Sequence, residues 1–185
     1  MMYDWLLRRF AQQPSASNVI YKLENYTCDG TAATAINTGL YLFDTSRYPN
    51  GWDLYFDFTV NSGNGGNASF LRCRNAATPY NGFTIRRGAT DSTANNLCPQ
   101  INATFKNIVK NPLAGTRFII TIETPYQSTK TRLLTDGSNE INVNIPTSVI
   151  SPLVIGGELA DDTTQEWNPE RFSYITIHSL IIISK

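Results

Sequence analysis

The chain has 185 residues, of which 41% are hydrophobic and 16% charged, with fifteen basic and fifteen acidic side chains and no net formal charge. That length suits one sizeable domain rather than two, and a surface built on Asn, Thr, Ser and Gly is common among all-β extracellular or virion proteins. The longest basic clusters are the pairs Arg8-Arg9 and Arg86-Arg87, so the phosphate attraction used by nucleic-acid binders has no source.

Met1 to Ser17 reads as a leader. It lacks the ~7–15 apolar residues of a signal-peptide core, and Arg8-Arg9 follow its hydrophobics instead of preceding them. Residues 3 to 12 suit a few helical turns, or an extended segment, that ends at Pro14. Trp5, Leu6 and Phe10 would share one face, either against their own domain or as an anchor docked on another virion or surface protein. No run approaches the ~20 apolar residues of a membrane span, so membrane insertion is not expected.

From Asn18 to the end the pattern is strand-like, with β-branched and aromatic runs separated by Gly, Asn, Pro and Ser clusters. Strands are predicted at Asn18–Leu23, Ala33–Ile36, Leu40–Phe43, Trp52–Val60, Ser69–Arg74 and Gly82–Arg87. Others follow at Asn102–Val109, Arg117–Thr124, Thr129–Leu134, Glu140–Ile145, Leu153–Ile155 and Phe172–Ile183. In the fourth run Trp52, Leu54, Phe56, Phe58 and Val60 form a core face, which leaves Asp53, Asp57 and Thr59 to meet water or a ligand. The runs "RFIITIETP" and "FSYITIHSLIIIS" are apolar on both parities in places, as central strands are. "SGNGGN" at Ser62–Asn67 reads as a hairpin, and "TDGSN" at Thr135–Asn139 as another, because Asp-Gly tolerates the positive φ angles of tight turns. These features predict an all-β fold, a two-sheet antiparallel β-sandwich or jelly roll, over residues 18–185.

The order of motifs "YKLENYTCDGTAATAINTGLYLFD", "WDLYFDF", "LVIGGE" and "FSYITIHSLIIIS" resembles the concanavalin A-like lectin and glucanase superfamily, and within it the laminin-G-like jelly rolls of phage and bacterial surface proteins. The resemblance runs in order through residues 18–185 and is carried by structural motifs, so it speaks to fold more than to function. It implies two antiparallel sheets with glycans or proteins bound on the concave face or at the loop rim. Some members hold calcium there, and others are glycoside hydrolases.

Chemistry is sparse. Hydrolysis of a glycosidic bond generally uses two carboxylates about 5–9.5 Å apart, and no strand carries the superfamily's alternating Glu and Asp pattern; Asp53 and Asp57 come nearest. His178, the one histidine, is expected to be a sheet residue satisfied by a neighbour. Cys28, Cys73 and Cys98 have no zinc spacing and are read as buried thiols, with a single disulfide left open. The triplets at Asn25, Asn67 and Asn102 match glycosylation sequons, which an Asn- and Thr-rich chain produces by chance.

Binding is the better expectation. A sugar needs an aromatic ring and nearby amide, carboxylate or guanidinium groups, and the candidates are Tyr48, Asn50, Tyr80, Asn81, Arg86, Asp162 and Trp167. Asp44, Glu158 and Asp161 are candidate calcium ligands, though such clusters also occur as solvated loop tips. The expected function is a non-enzymatic carbohydrate-binding or attachment module on a bacteriophage capsid or fibre, hence in a virion or at an extracellular surface. Its partners would be a cell-surface glycan or polysaccharide and other virion proteins, and a homotrimer would be unsurprising. A purely structural virion or surface protein without glycan binding is the alternative, and a glycoside hydrolase a remoter one.

Overall fold

The structure, a computed structural model, describes residues 18–88, 96–110 and 113–185. In this range the chain forms two antiparallel sheets. One has six strands in the spatial order β1 (Val19–Asp29), β13 (Tyr174–Ser184), β3 (Trp52–Val60), β9 (Arg117–Tyr126), β10 (Lys130–Thr135) and β11 (Asn139–Asn144). The second runs β2 (Ile36–Asn37), β12 (Val154–Ile155), β4 (Ser69–Arg74), β5 (Gly82–Arg87), β6 (Asn96–Ile101) and β7 (Thr104–Phe105), with β8 (Ile108–Val109) also paired to β6. The predicted two-sheet β-sandwich is therefore the fold. The leader, with Trp5, Leu6 and Phe10, lies outside the described residues.

Alternation along β3 builds the core. Trp52, Leu54, Phe56, Phe58 and Val60 are all buried and pack with Phe118, Ile120 and Ile122 of β9. Phe58 joins the two sheets: its ring lies 5.8 Å from Phe118 in its own sheet and 5.6 Å from Phe70 in the other. Each such buried side chain contributes about 1.5–3 kcal/mol through removal from water, and the ring pairs add to it. As expected, β9 and β13 lie inside the six-stranded sheet, each with a strand on either side.

The opposite face of β3 departs from expectation. Asp53 and Asp57 do not meet water but are buried, at 0% and 5% exposure. Lys185 Nζ lies 3.0 Å from Asp53 Oδ1, and Arg117 donates two hydrogen bonds to Asp57. Charge pairing with partners remote in sequence compensates the desolvation that a lone carboxylate would suffer.

Several predicted elements are revised. Leu40–Phe43 is not a strand: Leu40 accepts a bond from Leu153 N–H and the chain then turns. Ala33–Ile36 gives way to the two-residue β2, which shares only Ile36 with it, and Asn102–Val109 splits into β7 and β8, with Asn102 at φ 51° in the turn that leads from β6 into β7. β6 has no counterpart among the predicted strands, and it accommodates Pro99, a residue that strand interiors disfavour. Pro99 stands opposite Ile85 while its carbonyl accepts from Lys106 N–H. Ser62–Asn67 is not a hairpin, since β3 and β4 belong to different sheets and the segment crosses between them. By contrast Thr135–Asn139 is one: β10 pairs with β11, and Asp136 and Gly137 take φ 49° and 70°.

The cysteines are buried and unpaired. His178 Nε2 is 2.9 Å from Thr59 Oγ1 and so has the expected neighbour.

Candidate functional site

Strand register sorts the residues of the seven-stranded sheet onto its two faces. Leu71, Cys73, Phe83 and Ile85 point into the core, so Arg72, Arg74, Thr84, Arg86 and Gln100 lie on the outer face, with Arg72 opposite Thr84 and Thr84 opposite Gln100. Three arginines on one sheet face need anions or solvent. Arg72 is buried and ion-paired with Glu158, and it also donates to the carbonyls of Arg74 and Asn75 at 3.0 Å each. Neither Arg74 nor Arg86 forms an ion pair among the described residues. Arg74 Nε donates to Tyr80 O at 3.2 Å with its guanidinium 4.5 Å from the Tyr80 ring centroid, and Arg86 donates to Asn67 Oδ1. Burial, with Arg72 and then Arg86 nearby, pushes the Arg74 guanidinium down to about 10, so it stays protonated at neutral pH.

These two arginines belong to a cleft of about 570 Å³. Gln100 and Asn102 line it, and Tyr80 and Phe105 flank it at 47% and 54% exposure. The loop that carries Tyr80 is tied down at both ends. Asn75 N–H donates to Asn81 O at 2.9 Å, and the Asn81 side-chain amide donates to Thr147 O at 2.7 Å. Gln100 Nε2 donates to Asn102 O at 2.6 Å, and Asn102 Oδ1 accepts from Gly82 N–H at 3.1 Å. Exposed aromatics held in place lose little conformational freedom when a ligand arrives.

A second cleft, about 440 Å³, opens at one end of the sandwich. Tyr48, Phe43, Pro49, Trp52, Pro125 and Pro146 give it an apolar lining. Its turn is held by Asp44, whose Oδ1 accepts from the Ser46 amide at 2.9 Å and the Ser46 hydroxyl at 2.6 Å. Those bonds, the hydroxyl foremost, hold the Asp44 carboxyl below the usual carboxylate range. Gly51 closes the turn against β9: at φ 84° a Cβ there would fall 2.1 Å from Thr124 O.

The predicted binding residues thus separate. Tyr80, Asn81 and Arg86 come together in the face cleft, while Tyr48 lines the end cleft and Asn50 is exposed on its turn without lining it. Asp162 and Trp167 line neither. Asp162 Oδ2 accepts from Ala76 N–H at 2.7 Å, and Trp167 packs on Phe172 with centroids 5.7 Å apart. The sequence reading missed Arg74, Gln100, Asn102 and Phe105. A signal for Arg74 existed, since Arg72 and Arg74 alternate with Leu71 and Cys73 and so share a face.

The three candidate calcium ligands have other work. Asp44 caps its turn, Glu158 pairs with Arg72, and Asp161 Oδ1 accepts from Thr163 and Thr164 N–H at 2.7 and 2.8 Å. Those bonds, led by the Thr164 amide, depress the Asp161 carboxyl. No group of three or more His, Cys, Asp or Glu side chains fit to hold a metal ion occurs among the described residues.

No family model and no curated protein matches the sequence. Among solved structures the fold is similar to the CBM40 of the Ruminococcus gnavus IT-sialidase bound to alpha2,3 sialyllactose, with a TM-score of 0.54 and 9% identity over 89% of this chain and 91% of that one. It is also similar to the NanB sialidase of Streptococcus pneumoniae, at a TM-score of 0.56 and 10% identity over 89% of this chain and 26% of that one. An alginate lyase of polysaccharide lyase family 7, AlgAT5, matches at a TM-score of 0.47 and 13% identity, over 71% of this chain and 57% of that chain. The match thus spans about a quarter of the NanB sialidase and little more than half of the lyase. The chain thus shares its two-sheet β-sandwich fold with a sialidase CBM40 bound to a sialylated sugar and with part of a sialidase.

Proposed function

We propose that this chain is a non-enzymatic carbohydrate-binding module and that the cleft between Tyr80 and Phe105 is its glycan site. One observation carries the reading: two exposed aromatics, Tyr80 and Phe105, line one cleft together with Arg74, Arg86 and Gln100 of an outer sheet face. Rings of this kind stack on the apolar side of a pyranose while the polar side chains bond its hydroxyls. The sialyllactose held by the R. gnavus module, on a similar fold, supports a glycan as the ligand class.

Binding without hydrolysis is supported by the state of the carboxylates. Asp53 and Glu123 are register partners across β3 and β9. Lys185 lies 3.0 and 3.7 Å from the two, and Arg132 is 2.8 Å from Glu123. Carboxylates held in ion pairs of this kind are poor nucleophiles. Asp53 and Asp57 are four residues apart on one strand, about 13 Å, beyond the span that either hydrolytic mechanism uses.

Attachment to a bacteriophage particle completes the proposal, with Trp5, Leu6 and Phe10 as the anchor. A glycan array of neutral and acidic oligosaccharides tests the binding reading: specific binding weakened about tenfold by Tyr80→Ala supports it, and an empty array overturns it. Reducing ends released from a polysaccharide panel would overturn the non-enzymatic part. Particle attachment unchanged after removal of residues 1–14 would overturn the anchor.

A further inference from the structure

We infer that the Tyr80–Phe105 cleft selects glycans that carry a carboxylate, with Arg74 and Arg86 as the groups that receive it. This inference rests on the carbohydrate-binding reading above and narrows its ligand class.

Charge balance is the first argument. The outer face of the seven-stranded sheet carries Arg72, Arg74 and Arg86, and Glu158 neutralises the first. The other two line one cleft whose described lining contains no Asp or Glu. Arg74 is held below its ordinary value by burial and by the charges of Arg72 and Arg86, with Glu158 offsetting part of that effect. An anion placed between Arg74 and Arg86 relieves that repulsion, whereas a neutral sugar leaves it in place.

Geometry is the second. Arg74 has its Nε committed to Tyr80 O, which leaves its terminal nitrogens available as donors. Arg86 is anchored by Asn67. Two guanidinium groups fixed by strand backbone and by side-chain bonds present planar donor arrays, and such arrays match a carboxylate in bidentate fashion. Tyr80 sits beside them with nearly half its surface in solvent, so a pyranose stacked there brings a ring carboxylate within reach. The amide of Gln100 serves either an oxygen of that carboxylate or an adjacent hydroxyl. Hexuronates are the simplest sugars with this combination of an apolar ring face and a ring-borne carboxylate.

The test uses the whole protein and calorimetric titration with four oligosaccharides, those of galacturonate, mannuronate, guluronate and glucuronate, each beside its carboxyl-reduced counterpart. Reduction replaces the carboxylate by a neutral hydroxymethyl group and leaves the rest of the sugar unchanged, so the comparison does not depend on any variant folding. At least one acid form should bind tenfold or more tightly than its reduced partner, with the difference shrinking as salt is raised. Arg86→Gln should abolish the difference, and Arg86→Lys should restore part of it. Equal binding of the acid and reduced forms would overturn the carboxylate assignment while leaving the carbohydrate-binding reading intact. Acid preference untouched by Arg86→Gln would move the anion site elsewhere and so overturn this assignment. Failure of all eight oligosaccharides would also overturn it, and the broader glycan array then decides the parent reading separately.

Discussion

Arg117 clasps Asp57 with two parallel hydrogen bonds, Nε to Oδ1 at 2.7 Å and Nη2 to Oδ2 at 2.6 Å, and the two partners differ sharply in environment. The Asp57 side chain is 7% exposed and that of Arg117 59%. The cost of removing either partner should follow that asymmetry. Arg117→Ala leaves a carboxylate out of water with only the long bond from the Tyr55 hydroxyl, 3.5 Å, so it should destabilise the fold by about 1–3 kcal/mol. Asp57→Asn leaves only a guanidinium that water can solvate, and it should cost less. Urea denaturation of the two variants measures the difference; equal losses would show that burial of Asp57 does not govern the pair.

Gly51 makes a different kind of demand. Its φ of 84° and the 2.1 Å approach of a hypothetical Cβ to Thr124 O leave no room for a side chain, and the obstructing atom is backbone. Gly51→Ala should combine about 1–2 kcal/mol of left-handed backbone strain with an overpacking cost of about 1–3 kcal/mol. A fall in urea midpoint with an unchanged m-value is the expected result. Because the turn also shapes the end cleft, the Tyr48 environment should shift in the near-ultraviolet circular dichroism spectrum.

The buried thiols give the stability a pH dependence of known sign. Burial pushes Cys28 and Cys73 up to about 12, from about 9 in an ordinary thiol. A folded pKa above the unfolded one means that the unfolded chain ionises first as pH rises. The contribution is therefore intact below pH 9 and is lost between pH 9 and 12, at about 1.4 kcal/mol per pH unit for each thiol. At pH 8 a thiol with a pKa near 12 is ionised in roughly one molecule in ten thousand, so neither should react with a disulfide reagent until the protein unfolds. Rapid labelling of either in the native state would contradict the burial.

Local pattern made much of this fold legible. β3, β4 and β5 have the bounds that alternation and turn residues predict, and the Asp-Gly hairpin joins the strands it was expected to join. What was illegible depends on register and on distant partners. Asp53 looked solvent-facing because Lys185, 132 residues further along, supplies the charge that allows its burial. β6 has no predicted counterpart, and the tolerance of Pro99 within it depends on pairings that no local window reveals. The face cleft was half visible: Tyr80, Asn81 and Arg86 are neighbours in sequence, whereas Arg74, Gln100 and Phe105 join them only through the pairing of β4, β5, β6 and β7.

Tyr48 and Tyr80 were equivalent candidates in the sequence and should separate by experiment. Tyr80 is 47% exposed and outside the core, so Tyr80→Ala should leave the urea midpoint nearly unchanged. If it is the stacking platform of the glycan site, the same change should weaken binding about tenfold, the equivalent of about 1.4 kcal/mol. Tyr48 instead packs partly buried against the core at the sandwich end. Its truncation should cost about 1–2 kcal/mol of stability, less than the roughly 3–5 kcal/mol of a fully buried aromatic, with glycan affinity retained. A reversal, with Tyr48→Ala abolishing binding in a folded protein and Tyr80→Ala leaving it intact, would move the glycan site from the sheet face to the end of the sandwich.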